Sequence, residues 1–162
     1  MDHRVGFGTD LHRLAPGRPL VLGGVHLPEA AAGAVGHSDG DALLHAVTDA
    51  LFGALAEGDI GEHFPDTAEE NRDRDSTEFL AAAMARVRAR GWRVANLDAV
   101  VDLERPRLGP QKRAMRARIA ALCGCTEAQV GVKAKTGEGL DAVGRGEAVA
   151  AQAVVLLERQ GR

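Results

Sequence analysis

Leu43, Leu44, Val47, Ala50, Leu51, Ala54 and Leu55 recur at helical spacing and predict a first helix from about Asp39 to Glu57. Upstream, "RVGFGTDLHRL" alternates loosely between apolar and polar residues, which predicts a strand over Arg4–Leu14. "APGR" reads as a turn and "PLVLGGVHLP" as a second strand, placed to form a hairpin with the first. The polar stretch from Gly58 to Ser76, rich in turn formers, predicts a long loop, and long loops inside compact domains are often functional. A second helix is expected from Thr77 to Arg90, capped by Ser76 and stopped at Gly91. "WRVANLDAVVDLE" predicts a strand. "PQKRAMRARIAALCG" predicts a third helix, with Pro110 in its first turn and Gly124 at its end. "AQVGVKAKT" predicts another strand. "GEAVAAQAVVLLER" fits either periodicity, and its valines favour a strand. Strands alternating with helices predict an α/β or α+β sandwich with helices packed on a sheet.

Composition narrows the class without naming a chemistry. With 162 residues, 45% apolar and 27% charged, the chain reads as one domain over residues 1–162 with a self-sufficient core. A formal net charge of −3, with both signs interspersed, gives no footprint of a nucleic-acid binder. "MDHRVGFGTD" lacks the apolar core of a signal peptide, and "AVAAQAVVLL" is interrupted by Gln152 and too short to span a bilayer. A cytoplasmic protein with no membrane partner is therefore expected. Cys123 and Cys125 are too close in sequence for ordinary disulfide geometry and read as reduced thiols at a helix end.

The polar residues at the start of the first helix do change the picture. In "GHSDGDALLHAVTDALFGAL", His37, Asp39, Asp41 and His45 crowd the start of an otherwise apolar helix. Buried unpaired charge costs several kcal/mol, roughly, so something must satisfy these groups. In "GTDLHR", Asp10 and His12 stand two apart and leave the same face of a strand. With His45 arriving from the helix, they could present three ligands to a cation and leave positions open for substrate. Asp41 and Asp49, one turn either side of His45, are each placed to hold its second ring nitrogen. Spacing alone fits equally well with surface polar groups and a satisfied core histidine.

Other stretches favour anions. Ser38 or Asp39 can cap the helix, and the free N–H groups there, with His37 beside them, suit an anionic ligand. "GDIGEHFPDT" sets Asp59 in a glycine-flanked turn, where a carboxylate suits a polyol hydroxyl. "KAKTGEGL" brings Lys135, Thr136 and Glu138 together with glycine-freed backbone able to cradle phosphate. A carboxylate among phosphates would find its purpose in a phosphate-bound magnesium. "ERPRLGPQKR" puts Arg105, Arg107, Lys112 and Arg113 at a helix entrance, which also reads as a solvated basic face.

"GTDLHRL", "LGGVHLP", "GHSDGDALLHAVTDALFGAL", "GDIGEHFPDT", "VKAKTGEGL" and "GRGEAVAAQAVVLL", in this order from about Arg4 to Glu158, resemble the 2-C-methyl-D-erythritol 2,4-cyclodiphosphate synthase family. The resemblance implies a mixed sheet with helices on one face and the other face lining the centre of a homotrimer, whose active sites lie between subunits. It implies a divalent cation, typically zinc, on Asp10, His12 and His45, and magnesium or manganese carried by Glu138. His37 and Thr136 match transition-state stabilisers. Ser38 matches a substrate contact, Asp59 and Gly61 match residues that hold the methylerythritol part, and Phe64 and Asp66 fall in a loop, Phe64 to Ala68, at the site. Arg107, within Leu103 to Gly109, and Lys135 match the cytidine and phosphate region, and Arg145 the trimer's central cavity. The implied reaction is a lyase-type cyclisation of a cytidine diphosphate derivative of methylerythritol phosphate with release of CMP. Lys135 stands where many relatives have Thr, Asp141 where they have Gly, and Ala142 where they have an aromatic residue. The same ligands would also serve a metal-dependent phosphohydrolase with His37 as base, or a non-catalytic nucleotide- or isoprenoid-binding trimer.

Overall fold

The computed structural model describes residues 2–65 and 67–161, the Glu70 side chain excepted. Its strands are β1 (His3–Pro16), β2 (Val21–Leu22), β3 (Val25–His26), β4 (Ala32–Ala34), β5 (Trp92–Asp102), β6 (Val130–Lys135) and β7 (Ala148–Arg159). The α-helices are α1 (Ala42–Leu55), α2 (Ile60–His63), α3 (Ser76–Ala89), α4 (Lys112–Cys123) and α5 (Asp141–Gly144). Five strands form one sheet in the order β4-β1-β7-β5-β6, in which only β5 and β6 run parallel. The architecture is α+β.

β7 settles the ambiguous C-terminal segment as a strand, because β1 and β5 take up its backbone groups along almost its whole length. Its alternation buries Val149, Ala151, Ala153, Val155 and Leu157 on the side where α1 packs. α3 and α4 continue the same layer over β5 and β6. Among the described residues no helix covers the opposite face of the sheet, where Val5, Phe7, Leu11 and Val154 are exposed.

Two expectations are corrected. "PLVLGGVHLP" does not pair with the first strand. β2 and β3 pair with each other around Gly23 and Gly24, whose φ values of 60° and 70° suit a two-residue hairpin of the I′ kind. The neighbours of β1 are β7 and the short β4. The stretch Gly58–Ser76 is not a plain loop either: it holds α2 and a 3₁₀ turn at Glu69–Asn71.

The contact that fixes the site is α1 on β1. Gly6 and Gly8 share a face of β1, and a Cβ there would lie 1.8 Å from the Ala50 carbonyl oxygen and 2.1 Å from that of Ala46. Glycine thus lets the helix backbone settle directly on the strand. Two and four residues further along the same face come Asp10 and His12, opposite the first turn of α1 and its His45.

Candidate functional site

Asp10, His12 and His45 converge as the strand–helix contact requires. Asp10 Oδ2 lies 2.8 Å from His12 Nε2 and 3.1 Å from His45 Nδ1, and the two ring nitrogens are 3.2 Å apart. Among the described residues this is the one set of three metal-ligating side chains whose donor atoms meet. Burial alone would raise the Asp10 pKa, but the His12 and His45 contacts override it and hold the carboxyl well below its ordinary value. Burial works the other way on His12, yet the Asp10 carboxylate raises its pKa overall.

The far sides of both rings are occupied. His12 Nδ1 lies 3.0 Å from the Val35 carbonyl oxygen, which only accepts, so Nδ1 carries a proton and Nε2 faces Asp10. β4 places that carbonyl: its pairing with the end of β1 carries Val35 past His12, and Val35 N–H bonds to Arg13 O at 2.7 Å. His45 Nε2 lies 2.7 Å from Ser76 Oγ and 3.3 Å from Ser38 Oγ. One oxygen and two imidazoles, each ring held from behind, form a donor set suited to a divalent cation with a position left open.

The helix entrance is wired differently from the sequence expectation. Neither Asp41 nor Asp49 touches the second nitrogen of His45. Asp41, not Ser38 or Asp39, caps α1, accepting from Leu44 N at 3.0 Å and from Gly23 N and Gly24 N at 2.9 and 2.7 Å. Its burial pushes the carboxyl pKa up to about 6 despite those three bonds. Asp49, raised in pKa by burial, takes Ile60 N at 2.7 Å and so anchors the start of α2. Asp39 reaches across to α3, where it accepts from both N–H and hydroxyl of Ser76. Asp75 caps α3 in place of Ser76.

A cleft of about 480 Å³ opens beside His12 and His45, lined by His37, Ser38, Ile60, Gly61, Phe64 and Phe79 among others. His37 Nε2 is 3.3 Å from the Ala68 carbonyl oxygen, and Ser38 is 5% exposed with its hydroxyl turned to His45. Asp59 is exposed and caps α2, accepting from Glu62 N at 3.0 Å. Asp66 lies outside the described residues. The remaining predicted residues gather elsewhere: Arg107, Lys135, Thr136 and Glu138 line a separate cleft of about 560 Å³ that shares no residue with the first. Glu138 is exposed on a turn at φ 50°. Arg145 faces an adjoining hollow, also lined by Arg107, Thr136 and Glu138, and pairs with Glu147 at 3.2 Å. Sequence reasoning missed Glu104, which accepts from Gly137 N at 3.0 Å and ties the Thr136–Glu138 turn to the Arg107 loop.

Asp141 stands at φ 54°, the left-handed region that favours glycine. Aspartate is tolerated there, and its carboxylate accepts from Val143 N at 2.8 Å.

The model of the YgbB family matches residues 3–158. A 2-C-methyl-D-erythritol 2,4-cyclodiphosphate synthase of Chromobacterium violaceum is 56% identical over 95% of this chain and 97% of its own. That of Rhodopirellula baltica is 53% identical over 97% of this chain and 94% of its own. Among solved structures, a 2C-methyl-D-erythritol-2,4-cyclodiphosphate synthase described as the CDP-bound form is 45% identical. It covers 96% of this chain and all of its own, with a TM-score of 0.88.

Proposed function

The chain belongs to the YgbB family, and on that footing we propose that it closes 4-diphosphocytidyl-2-C-methyl-D-erythritol 2-phosphate into 2-C-methyl-D-erythritol 2,4-cyclodiphosphate, releasing CMP. The observation that carries this reading is the meeting of Asp10, His12 and His45 at the edge of a cleft, with both rings anchored from behind.

In the reaction an oxygen of the 2-phosphate attacks the β-phosphorus. A new P–O bond closes the ring, the bond from the β-phosphorus to the bridging oxygen breaks, and CMP leaves with that oxygen and its electron pair. The enzyme is thus a phosphorus–oxygen lyase. The substrate brings its own nucleophile, so no side chain need be one. What the protein must supply is alignment and neutralisation of crowded negative charge.

Asp10, His12 and His45 would hold a divalent cation, zinc by their donor set, and Glu138 a magnesium or manganese ion on the diphosphate; when bound, both neutralise phosphate charge as Lewis acids. Lys135 and Arg107 add fixed positive charge to the nucleotide cleft, and the Thr136 hydroxyl is free to donate to a phosphate oxygen. His37 and Ser38 border the metal-side cleft, where Gly61, Phe64 and the turn at Asp59 receive the polyol. Asp66 belongs to the same region of the chain.

The two clefts share no residue, yet one substrate must span metal and nucleotide. A homotrimer with sites between subunits joins them. It also covers the open sheet face, where Val5, Phe7 and Leu11 are 63 to 68% exposed. Arg145 and Glu147 would then lie near its centre. No helix among the described residues is long and apolar enough to cross a membrane. A cytoplasmic enzyme acting on a small molecule fits these features.

Incubation with the diphosphocytidyl substrate in oxygen-18 water tests the reaction class. Cyclisation yields CMP and a cyclic diphosphate without label. Label in the product would instead establish hydrolysis, and absence of CMP would leave a binding protein.

A further inference from the structure

We infer that Ser76 and Asp39 form a proton-fixing relay that orients His45 for metal binding, an inference resting on the reading that Asp10, His12 and His45 hold a cation. His45 has two ring nitrogens, and only a nitrogen free of its proton can serve as ligand. The one facing Asp10 and His12 is Nδ1. Whether Nδ1 presents a lone pair depends on where the ring proton sits, and the surroundings of Nε2 decide that.

Ser76 Oγ lies 2.7 Å from Nε2 and has one proton to give. Its other close partner is Asp39 Oδ1, a carboxylate oxygen that only accepts. The serine proton therefore goes to Asp39, and Ser76 Oγ must accept from His45. The ring proton is thereby drawn to Nε2, and Nδ1 is left bare toward the metal position. Asp39 is itself held. Its Oδ2 accepts from Ser76 N at 3.1 Å and its Oδ1 from Asp41 N at 3.1 Å, so the carboxylate cannot turn away from the hydroxyl. Ser76 is completely buried, which shields the relay from water that would otherwise scramble these roles.

This gives Ser76 and Asp39 a positioning role distinct from the capping they would supply in an ordinary helix, and Asp75 already caps α3. Ser38 Oγ, at 3.3 Å from Nε2, is a longer and weaker alternative acceptor. Loss of such an outer partner typically weakens metal affinity about 10- to 100-fold.

The test is zinc titration of the metal-free, full-length protein against a competing chelator, for wild type, Ser76→Ala and Asp39→Asn. Asp39→Asn replaces one acceptor oxygen by an NH₂ group, which must meet a donor or push the serine hydroxyl round toward His45. Zinc affinity is expected to fall about 10- to 100-fold in Ser76→Ala and in the same direction in Asp39→Asn, with unchanged far-ultraviolet circular dichroism. In the zinc-loaded wild type, a slowly exchanging imidazole N–H resonance should be assignable to His45 Nε2. It should broaden or vanish in Ser76→Ala. Should Ser76→Ala fail to fold, Asp39→Asn carries both readouts. If wild type binds zinc while the folded variants bind within twofold of it and keep the resonance, the relay is overturned. If wild type takes up no zinc, the metal reading beneath it fails instead.

Discussion

His45 illustrates how much a single position must satisfy here. It sits in the first turn of an apolar helix, yet every polar atom of its ring has a partner, one side toward Asp10 and His12 and the other toward Ser76. His45→Ala should leave the fold in place, lose bound metal and abolish nearly all turnover, as metal analysis and activity on one preparation would show. Asp41, the helix cap, bears on stability instead. Its pKa of about 6 in the folded chain exceeds the ordinary carboxylate value of 3.8. Between those values the folded protein keeps a proton that the unfolded chain has lost, so the contribution of Asp41 to stability falls as pH rises from about 4 to about 6 and is then level. The contribution is on the order of 3 kcal/mol. Urea denaturation across this range should show a shallower decline in Asp41→Asn than in wild type. Equal slopes would contradict the assignment. Asp10 and His12 were legible in the sequence because a spacing of two on a strand guarantees a shared face. The Asp39–Ser76 contact was not, since 37 residues separate the partners and each also makes a respectable cap.

At the scale of elements, α1 against β1 decides the geometry. The long helices and strands were readable because their periodicity matches what they bury. The errors fell on short or competing elements: β4 has three residues, and β2 and β3 have two each. "GG" between "VL" and "VH" was itself a hairpin signal, but the choice of partner strand is a tertiary matter. The helix start was misread because Ser38, Asp39 and Asp41 could each cap it, and the bonds Asp41 accepts from Leu44, Gly23 and Gly24 decide among them. The role of Gly8 lies in that packing. Gly8→Ala puts a methyl group into the Ala46 carbonyl, so α1 must lift from β1. The expected cost is about 2 to 3 kcal/mol in chemical denaturation, with a parallel loss of zinc affinity as His45 withdraws from Asp10 and His12. Unchanged zinc binding in a destabilised Gly8→Ala would separate the site from the packing that is held to build it.

For the whole molecule, the sheet has one face under helices and one bare. Assembly was beyond direct reading from the sequence, which marks apolar positions on β1 and β7 without saying which side the helices take. In the trimer proposed above, Phe7 and Leu11 are covered by neighbouring copies. Phe7→Asp should shift sedimentation from three times the 17.0 kDa chain mass toward that of a single chain. Activity should fall with it, because the metal and nucleotide clefts would no longer meet. An active monomer would contradict the shared site.

The central claim is that a cation held by Asp10, His12 and His45 supports ring closure with loss of CMP. Its most direct measurement is a phosphorus-31 NMR time course on the diphosphocytidyl substrate, using chelator-stripped protein before and after zinc is restored in the presence of magnesium. The account predicts no reaction from the stripped protein and, on restoration, CMP and cyclic diphosphate appearing in equal amounts. Equal rates before and after restoration, or CMP formed without the cyclic product, would contradict it.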